Sequence, residues 1–260
     1  MTSRAQFEEF AQRLRAGQPR FGTFATLGSP AAAEFAFADG TDFVVIDCQH
    51  GLAGHGEMVA ALQAGSAHAA APFVRVPAGD DAAIERALDC GAVGVIVPGV
   101  ESAERAREVA SRFRYPPNGT RSFGPVRAEL LFGLDPARAE RSVLCVVMIE
   151  TRAGLAARAE ICATAGVDGV YVGPADLAVS LGLPPRLDPA PGEHAEAIED
   201  IRAAAHAAGK FVGIHTGTGA QAATRAAEGF GFVTIGSDAS LLRWALRTSL
   251  RAARNGAPPG

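Results

Sequence analysis

Residues 143–150 read VLCVVMIE, seven apolar side chains in a row followed by a glutamate. A strand with one face in water alternates apolar and polar residues, so an unbroken apolar run predicts a strand covered on both faces. Because helices cover both faces of a parallel sheet, the run favours a parallel sheet in an α/β protein. Glu150 stands at the end of this predicted strand.

Similar short runs recur along the chain and alternate with alanine-rich helical stretches. Eight strands, each followed by a helix, predict a single-domain (β/α)8 barrel, the TIM barrel, over residues 1–254. The strands are predicted at residues 21–27, 43–47, 72–76, 94–98, 143–150, 169–173, 211–215 and 232–236. Helices are predicted at residues 82–89, 102–113, 152–164, 193–208 and 220–228, with an amphipathic helix within residues 1–20.

Three segments interrupt this alternation. Residues 115–133 and the proline-rich residues 183–191 are predicted to be loops, and residues 255–260 a flexible tail. The alternative fold is a doubly wound open sheet. It would need a glycine-rich phosphate-binding motif after the first strand, and the Leu-Gly-Ser-Pro of residues 27–30 is not one.

The composition excludes several classes of function. Hydrophobic residues make up 48% of the chain, and a net charge of −4 offers no basic surface for nucleic acid or anionic lipid. No apolar run reaches the roughly 20 residues that span a bilayer, and the first residues lack the apolar core of a signal peptide. The four cysteines lie far apart without a C-x-x-C pair, which predicts buried free thiols in a reducing cytoplasm.

Polar side chains end five of the predicted strands, where a parallel barrel carries its catalytic groups. Charges at the ends of apolar strands are costly unless they are paired or bind a metal ion. These residues are Asp47 and His50 after the second strand, Arg75 in the third, Glu150 in the fifth, Asp176 after the sixth and His215 in the seventh.

Glu150 and Asp176 are the candidate metal ligands. They end adjacent strands, and two carboxylates completed by waters suit Mg²⁺ or Mn²⁺. Asp176 alone is also explained as an acid in the first turn of the next helix. The N–H groups of Gly173-Pro174-Ala175-Asp176 open that helix and are placed to receive a carboxylate or phosphate.

Asp47 and His50 form a candidate acid–base pair, in which the acid orients an imidazole that acts as general base. A surface histidine with a capping aspartate explains the same spacing.

Arg75 is suited to bind a keto-acid oxygen or an enolate, while an ion pair with Asp47 or Glu150 is compatible with that role. His215 is predicted to face the same mouth and to contact an aldehyde or a neighbouring subunit's loop, or to be structural.

Other titratable groups are assigned by position. His55, His68, His194 and His206 fall on predicted helices and are expected to face solvent. The chain contains a single lysine, Lys210, directly before the seventh predicted strand. A Schiff-base aldolase needs a lysine inside the barrel, and this one is predicted to lie at the opposite rim.

The strand-end motifs resemble those of the HpcH/HpaI aldolase family, metal-dependent class II pyruvate aldolases of bacterial aromatic and sugar-acid catabolism. The matching stretches keep the family's order from about residue 21 to about residue 240. They are VIDCQHG at 45–51, VRVP at 74–77, VPGV at 97–100, YPPNGTR at 115–121, IET at 149–151 and VGPADL at 172–177.

The resemblance implies an enzyme that reversibly cleaves a 4-hydroxy-2-oxo acid to an aldehyde and pyruvate or hydroxypyruvate. It implies a divalent cofactor ion (Mg²⁺, Mn²⁺ or Co²⁺) that stabilises the enolate, no organic cofactor, and a homohexamer whose last helix is exchanged between subunits. Matched residue by residue, Glu150 and Asp176 hold the metal, His50 is the base supported by Asp47 and Asp89, and Arg75 binds the enolate. The implied substrate-binding residues are Gly173, Pro174, Ala175, Asp176, Phe24, Arg121 and His215.

Four positions depart from the family pattern: Gln49 replaces a common Glu, Met148 a Gln, Phe24 a Trp, and residues 123–127 a serine-containing loop. All four positions are expected to affect aldehyde binding or the fine adjustment of the site. None is expected to affect metal binding or enolate stabilisation. Two other functions are compatible with the same barrel. One is an acyl-CoA lyase of the citramalyl- or malyl-CoA type, which would need a basic site for the CoA phosphates, and the other is a non-catalytic small-acid binding protein.

Overall fold

Eight parallel strands close into a barrel in chain order, with β1 hydrogen-bonded to both β2 and β8. The computed structural model describes residues 4–255. The closed barrel confirms the (β/α)8 prediction and excludes the open sheet. The strands are β1 (Arg20–Ala25), β2 (Phe43–Asp47), β3 (Ala71–Arg75), β4 (Gly94–Val97), β5 (Leu144–Ile149), β6 (Gly169–Val172), β7 (Phe211–His215) and β8 (Phe232–Ser237).

Helices follow the strands and run back along the outside of the barrel. In the part of the chain that is described they are α1 (Arg4–Arg15), α2 (Pro30–Ala38), α3 (His55–Gly65), α4 (Asp81–Asp89), α5 (Ala103–Ser111), α6 (Ala128–Phe132), α7 (Pro136–Arg141), α8 (Arg152–Ala156), α9 (Arg158–Cys162), α10 (Pro174–Ser180), α11 (Glu193–Ala207), α12 (Gly219–Ala227) and α13 (Asp238–Asn255).

Three predictions about these elements were wrong in detail. The helix predicted at 152–164 is two short helices, which meet at Ala157, and the loop predicted at 115–133 ends in α6. Asn255 closes α13 instead of opening a tail, and residues 256–260 lie outside the described residues. The loop predicted at 183–191 is confirmed, since no helix or strand is formed there.

Phenylalanine rings on four strands fill the barrel interior, each opposite a glycine on the neighbouring strand. A methyl group at Gly94, for example, would lie 2.1 Å from the Phe73 ring. The rings of Phe43 and Phe232 stack with centroids 3.8 Å apart. Each glycine therefore leaves the space that the opposite ring occupies. The pairs are Gly22–Phe43, Gly94–Phe73, Gly169–Phe211 and Gly213–Phe232.

Helix α1 covers the end of the barrel at which the strands begin. Its apolar face is buried, and the Phe10 ring packs 6.3 Å from Phe43 and 5.8 Å from Phe73, measured between ring centroids. This confirms the amphipathic helix predicted before the first strand. The other end, where the strands finish, is the one left to form a mouth.

Helix α13 has no buried residue within the described chain. Five large apolar side chains on it are exposed, which is far more than the occasional exposed leucine of an ordinary surface. They are Leu241, Leu242, Trp244, Leu246 and Leu250.

The four cysteines are free, as predicted, but Cys48 and Cys90 are only half-buried. Burial, together with the neighbouring Asp47, raises the pKa of the Cys48 thiol to about 11. Between residues 4 and 255, no helix combines the length and the apolar character needed to cross a membrane.

Candidate active site

A cavity of about 220 Å³ opens at the mouth where the strands finish. A larger cavity of about 420 Å³ lies at the opposite end beside α1, and there Asp168 is paired with Arg15 at 2.8 Å and with Arg114 at 3.8 Å. The mouth cavity brings together most of the predicted site residues. Its walls are Phe24, His50, Arg75, Met148, Tyr171, Gly173, Pro174, Ala175, Asp176, Leu187 and His215.

Asp47 and Arg75 form a buried ion pair across the paired ends of β2 and β3. Nε and one terminal nitrogen of Arg75 donate to the two Asp47 oxygens over 2.9 and 2.7 Å. Asp47 is fully buried, whereas the Arg75 side chain keeps 12% of its surface exposed at the cavity. The guanidinium has five N–H donors, so three remain for other acceptors and their direction is fixed by the pair.

Asp47 does not orient the His50 ring, contrary to the sequence prediction. One Asp47 oxygen accepts the backbone N–H groups of Gln49 and His50 over 3.1 and 3.3 Å, and the same oxygen and its neighbour accept Arg75. These four bonds occupy the carboxylate. The exposed His50 side chain is therefore placed at the cavity by the turn that Asp47 holds and not by a carboxylate–imidazole bond.

Glu150 and Asp176 lie at the same rim, Glu150 directly after β5 and Asp176 in the first turn of α10, which follows β6. Oε1 of Glu150 accepts the Gly99 N–H over 2.9 Å, and the residue is 8% exposed. Burial and, second, the charge of Asp176 raise the pKa of Glu150 to about 7, while the Gly99 N–H and Arg75 act in the opposite direction. Two carboxylates that are partly shielded from water repel each other when both are ionised. A divalent cation bound between them would relieve this repulsion.

Gly173 provides the space for the Glu150 carboxylate. A methyl group at position 173 would lie 2.5 Å from Oε2 of Glu150 and 3.1 Å from the terminal carbon of Met148. The φ of Gly173 is −96°, which any residue adopts. The glycine is thus required by the close approach of the carboxylate and not by backbone strain.

We expect Gly173→Ala to weaken Mn²⁺ binding by about 10- to 100-fold, the usual effect of disturbing a group that positions a metal ligand. The added methyl would displace the Glu150 carboxylate without changing its charge. Calorimetric titration with Mn²⁺ measures the effect. Gly56→Ala is the matched control, because nothing lies within 4 Å of the methyl it adds. Equal Mn²⁺ affinity in both variants would contradict the role of Gly173.

His194 is buried and supports the first turn of α10, so its predicted exposure was wrong. It is 6% exposed and hydrogen-bonds to the Pro174 carbonyl, which joins α11 to the turn that lines the cavity. Burial lowers its pKa. Of the other histidines placed on predicted helices, His55 and His206 are exposed, and His68 lies beyond the end of α3 and is half-buried.

Phe24 and His215 form the wall of the cavity beside Arg75. The Arg75 guanidinium carbon lies 4.7 Å from the centre of the Phe24 ring, and the His215 ring meets Phe24 edge to face at 5.3 Å. Burial and, second, Arg75 lower the pKa of His215 to about 4. The sequence prediction of His215 at the mouth is confirmed in position, but it missed Tyr171 and Leu187, which also line the cavity.

Asp89 and Arg121 do not reach the cavity within one chain. A terminal nitrogen of Arg121 donates to Asp89 over 2.7 Å, and the guanidinium lies over the Tyr115 ring at 4.8 Å. Asp89 is the last residue of α4. Because that helix runs antiparallel to the strands, its end lies at the rim opposite the mouth. The predicted roles of Asp89 as a supporting acid and of Arg121 in substrate binding are therefore not met within one chain and stay predictions.

Lys210 also lies at the opposite rim, as predicted. It directly precedes β7, and its Nζ donates to the Val167 carbonyl over 2.7 Å, just before the start of β6. The one lysine of the chain is therefore outside the cavity and is bound to a backbone carbonyl. A Schiff base with a substrate in the mouth is excluded.

The family model of the HpcH/HpaI aldolase/citrate lyase family matches residues 20–245. The chain belongs to this family. A hydroxypyruvate/pyruvate aldolase of Rhizorhabdus wittichii is 41% identical over 92% of this chain and 95% of its own length, and a 4-hydroxy-2-oxovalerate aldolase of Rhodococcus jostii is 38% identical over 94% and 95%. The crystal structure of an HpcH/HpaI family protein from Burkholderia cenocepacia superposes with a TM-score of 0.88 at 33% identity, covering 95% of this chain and 99% of that one.

Membership of the HpcH/HpaI family confirms the resemblance that the strand-end motifs carried. The matched range contains all eight strands and every residue of the cavity wall. The family departures have a visible consequence at one position. Met148 lies on the cavity wall, so this chain has an apolar thioether where the resemblance led us to expect an amide.

Proposed function

We propose that this chain catalyses the reversible aldol cleavage of a 4-hydroxy-2-oxo acid to an aldehyde and pyruvate or hydroxypyruvate. The observation that supports this best is the convergence of Asp176, Arg75 and His50 on one small cavity. The Glu150 carboxylate lies directly behind Gly173 of the cavity wall. Aldolase relatives covering nearly the whole chain support the same reaction.

We propose that Glu150 and Asp176 bind a divalent metal ion, of which Mg²⁺, Mn²⁺ and Co²⁺ are the candidates. Their fit rests on the elevated pKa of Glu150 and on the space that Gly173 leaves for its carboxylate. No third His, Cys, Asp or Glu joins them within residues 4–255, so water and substrate would complete the coordination. When bound, the ion acts as a Lewis acid toward the keto oxygen of the substrate.

The other residues bind the oxo acid and move the proton. The amides of Ala175 and Asp176 have no intrahelical acceptor in the first turn of α10, and we assign them to the substrate carboxylate. His50 removes the proton of the 4-hydroxyl group. The C3–C4 electron pair then becomes the pyruvate enolate as the aldehyde forms, and a proton returned to C3 gives pyruvate. The three N–H donors of Arg75 that Asp47 leaves open stabilise the enolate oxygen.

We expect EDTA to abolish pyruvate release from 4-hydroxy-2-oxovalerate and Mn²⁺, Mg²⁺ or Co²⁺ to restore it. A coupled assay for pyruvate measures both. A metal-independent Schiff-base aldolase would keep its rate in EDTA, and a non-catalytic binding barrel would release no pyruvate under any condition. Either result contradicts the proposed function.

We propose that the chain functions as a homohexamer. The exposed apolar side chains of α13 need cover, which a neighbouring copy supplies by exchange of this helix. Because Asp89 and Arg121 lie at the rim opposite the mouth, they can assist His50 only in another copy. Light scattering measures the mass of the assembly. A monomer at the concentration used in the assay would exclude both the hexamer and the assistance of His50 by another copy.

A further inference from the structure

Three side chains inside the barrel form a hydrogen-bonded chain, and two of them, Tyr171 and Thr234, have no role assigned above. The Tyr171 hydroxyl lies 2.8 Å from Oγ1 of Thr234, and that oxygen lies 2.9 Å from Nδ1 of His215. Tyr171 and Thr234 are fully buried on β6 and β8, and His215 at the end of β7 lines the cavity, as Tyr171 does. Two buried hydroxyl groups are thus connected to an imidazole on the cavity wall.

The direction of the protons in this chain follows from the tyrosine. Within the described residues, Thr234 is the one hydrogen-bond partner of the Tyr171 hydroxyl, and a buried donor without an acceptor costs about 1–3 kcal/mol. Tyr171 therefore donates to Thr234. The threonine proton is then donated to Nδ1 of His215, which must be the nitrogen without a proton. The reverse direction would leave the tyrosine proton without an acceptor.

A neutral imidazole that accepts at Nδ1 carries its proton on Nε2. Burial and Arg75 lower the pKa of His215 to about 4, so the ring is neutral near pH 7. Between residues 4 and 255 its Nε2 has no hydrogen-bond partner, and the ring lines the cavity. His215 thus presents an N–H donor to the substrate and does not serve as a second base beside His50.

We propose that Tyr171 and Thr234 hold His215 as an Nε2–H donor for a hydroxyl group of the aldehyde fragment, so that hydroxylated aldehydes are preferred over their deoxy analogues. The proposal rests on the proposed aldolase function, in which the oxo-acid oxygens are taken by Arg75, by the first turn of α10 and by the metal ion. The neighbouring Phe24 ring offers no hydrogen bond. An aldehyde without the hydroxyl would leave Nε2–H buried and unpaired, which is how a polar site rejects an analogue.

Glycolaldehyde and propionaldehyde make a matched pair for the test, because a hydroxyl in one replaces a methyl in the other. The measured quantity is the ratio of their kcat/KM values in condensation with pyruvate. Relative to the wild type, we expect this ratio to fall about 10-fold in Thr234→Val, which keeps the side-chain shape but removes the hydroxyl. Tyr171→Phe should lower it in the same direction, and Thr234→Ser, which restores a hydroxyl, should recover most of it.

Exchange of the pyruvate methyl protons in deuterium oxide separates this role from a structural one, because it needs no aldehyde. The loss in Thr234→Val should be confined to the aldehyde ratio. An unchanged ratio in both Thr234→Val and Tyr171→Phe would overturn the proposal, and so would an equal loss of exchange and of both condensations. Absence of exchange in the wild type would instead contradict the proposed aldolase function.

Nitrogen-15 NMR of histidine-labelled protein tests the tautomer directly and does not depend on turnover. His215, assigned by comparison with His215→Gln, should show a protonated Nε2 and an unprotonated Nδ1 in the wild type. The opposite tautomer would overturn the proposal. This measurement remains decisive if Thr234→Val fails to fold.

Discussion

We expect Glu150→Gln to lower kcat/KM for pyruvate release by about 10³-fold or more, because several kcal/mol of charge stabilisation depend on the bound cation. The substitution removes one of the two carboxylates proposed to hold that cation and leaves the volume of the side chain unchanged. The amide oxygen can still accept the Gly99 N–H that now bonds Oε1 over 2.9 Å. The loss should therefore come from the charge and not from the packing.

Thermal unfolding of the metal-free protein separates these two causes. Burial and Asp176 raise the pKa of Glu150 to about 7, so above that pH an ionised Glu150 lowers the stability of the folded state. Glutamine has no such penalty, and at pH 8 the metal-free variant should unfold at the same temperature as the wild type or higher. Glu101→Gln, at an exposed position after β4, is the control and should keep full activity. Full activity of Glu150→Gln with added Mn²⁺ would contradict the metal site.

The sequence predicts the barrel and the mouth because both depend on local patterns. Covered parallel strands need continuous apolar runs, such as that of β5, and their ends were placed within two residues. Once strand ends are known, a polar residue at such an end must lie at the common rim. This argument alone brought Arg75, Glu150, Asp176 and His215 to the same end of the barrel.

What the sequence could not predict depends on side-chain direction and on contacts between distant segments. Asp47 lies three residues before His50, but its oxygens turn to Arg75 and to backbone amides. Tyr171 and Thr234 lie within apolar strands, and only the register of the closed barrel brings them to His215. The family resemblance supplied a role for Asp89 but not its place, which is the end of α4 at the rim opposite the mouth.

We expect Arg75→Lys to lower kcat for pyruvate release by about 10²- to 10³-fold, the usual effect of removing a preorganised donor to a developing oxyanion. Lysine keeps the positive charge but not the planar fork that Asp47 engages at two points, over 2.9 and 2.7 Å. If a lysine ammonium pairs with the fully buried Asp47, its remaining N–H groups are not held in a fixed direction toward the enolate oxygen. The effect should therefore exceed that of weakening a surface ion pair.

The exchange of pyruvate methyl protons in deuterium oxide should fall by a similar factor, because it passes through the same enolate without an aldehyde. Arg86→Lys is the matched control, since Arg86 pairs with Asp80 at the surface of α4, and surface pairs contribute at most about 1 kcal/mol. Wild-type exchange in Arg75→Lys would show that a positive charge at this place is sufficient. In that case the bidentate bond between the Arg75 guanidinium and Asp47 would serve to position the ends of β2 and β3. Stabilisation of the enolate would then have to be assigned to other donors in the cavity.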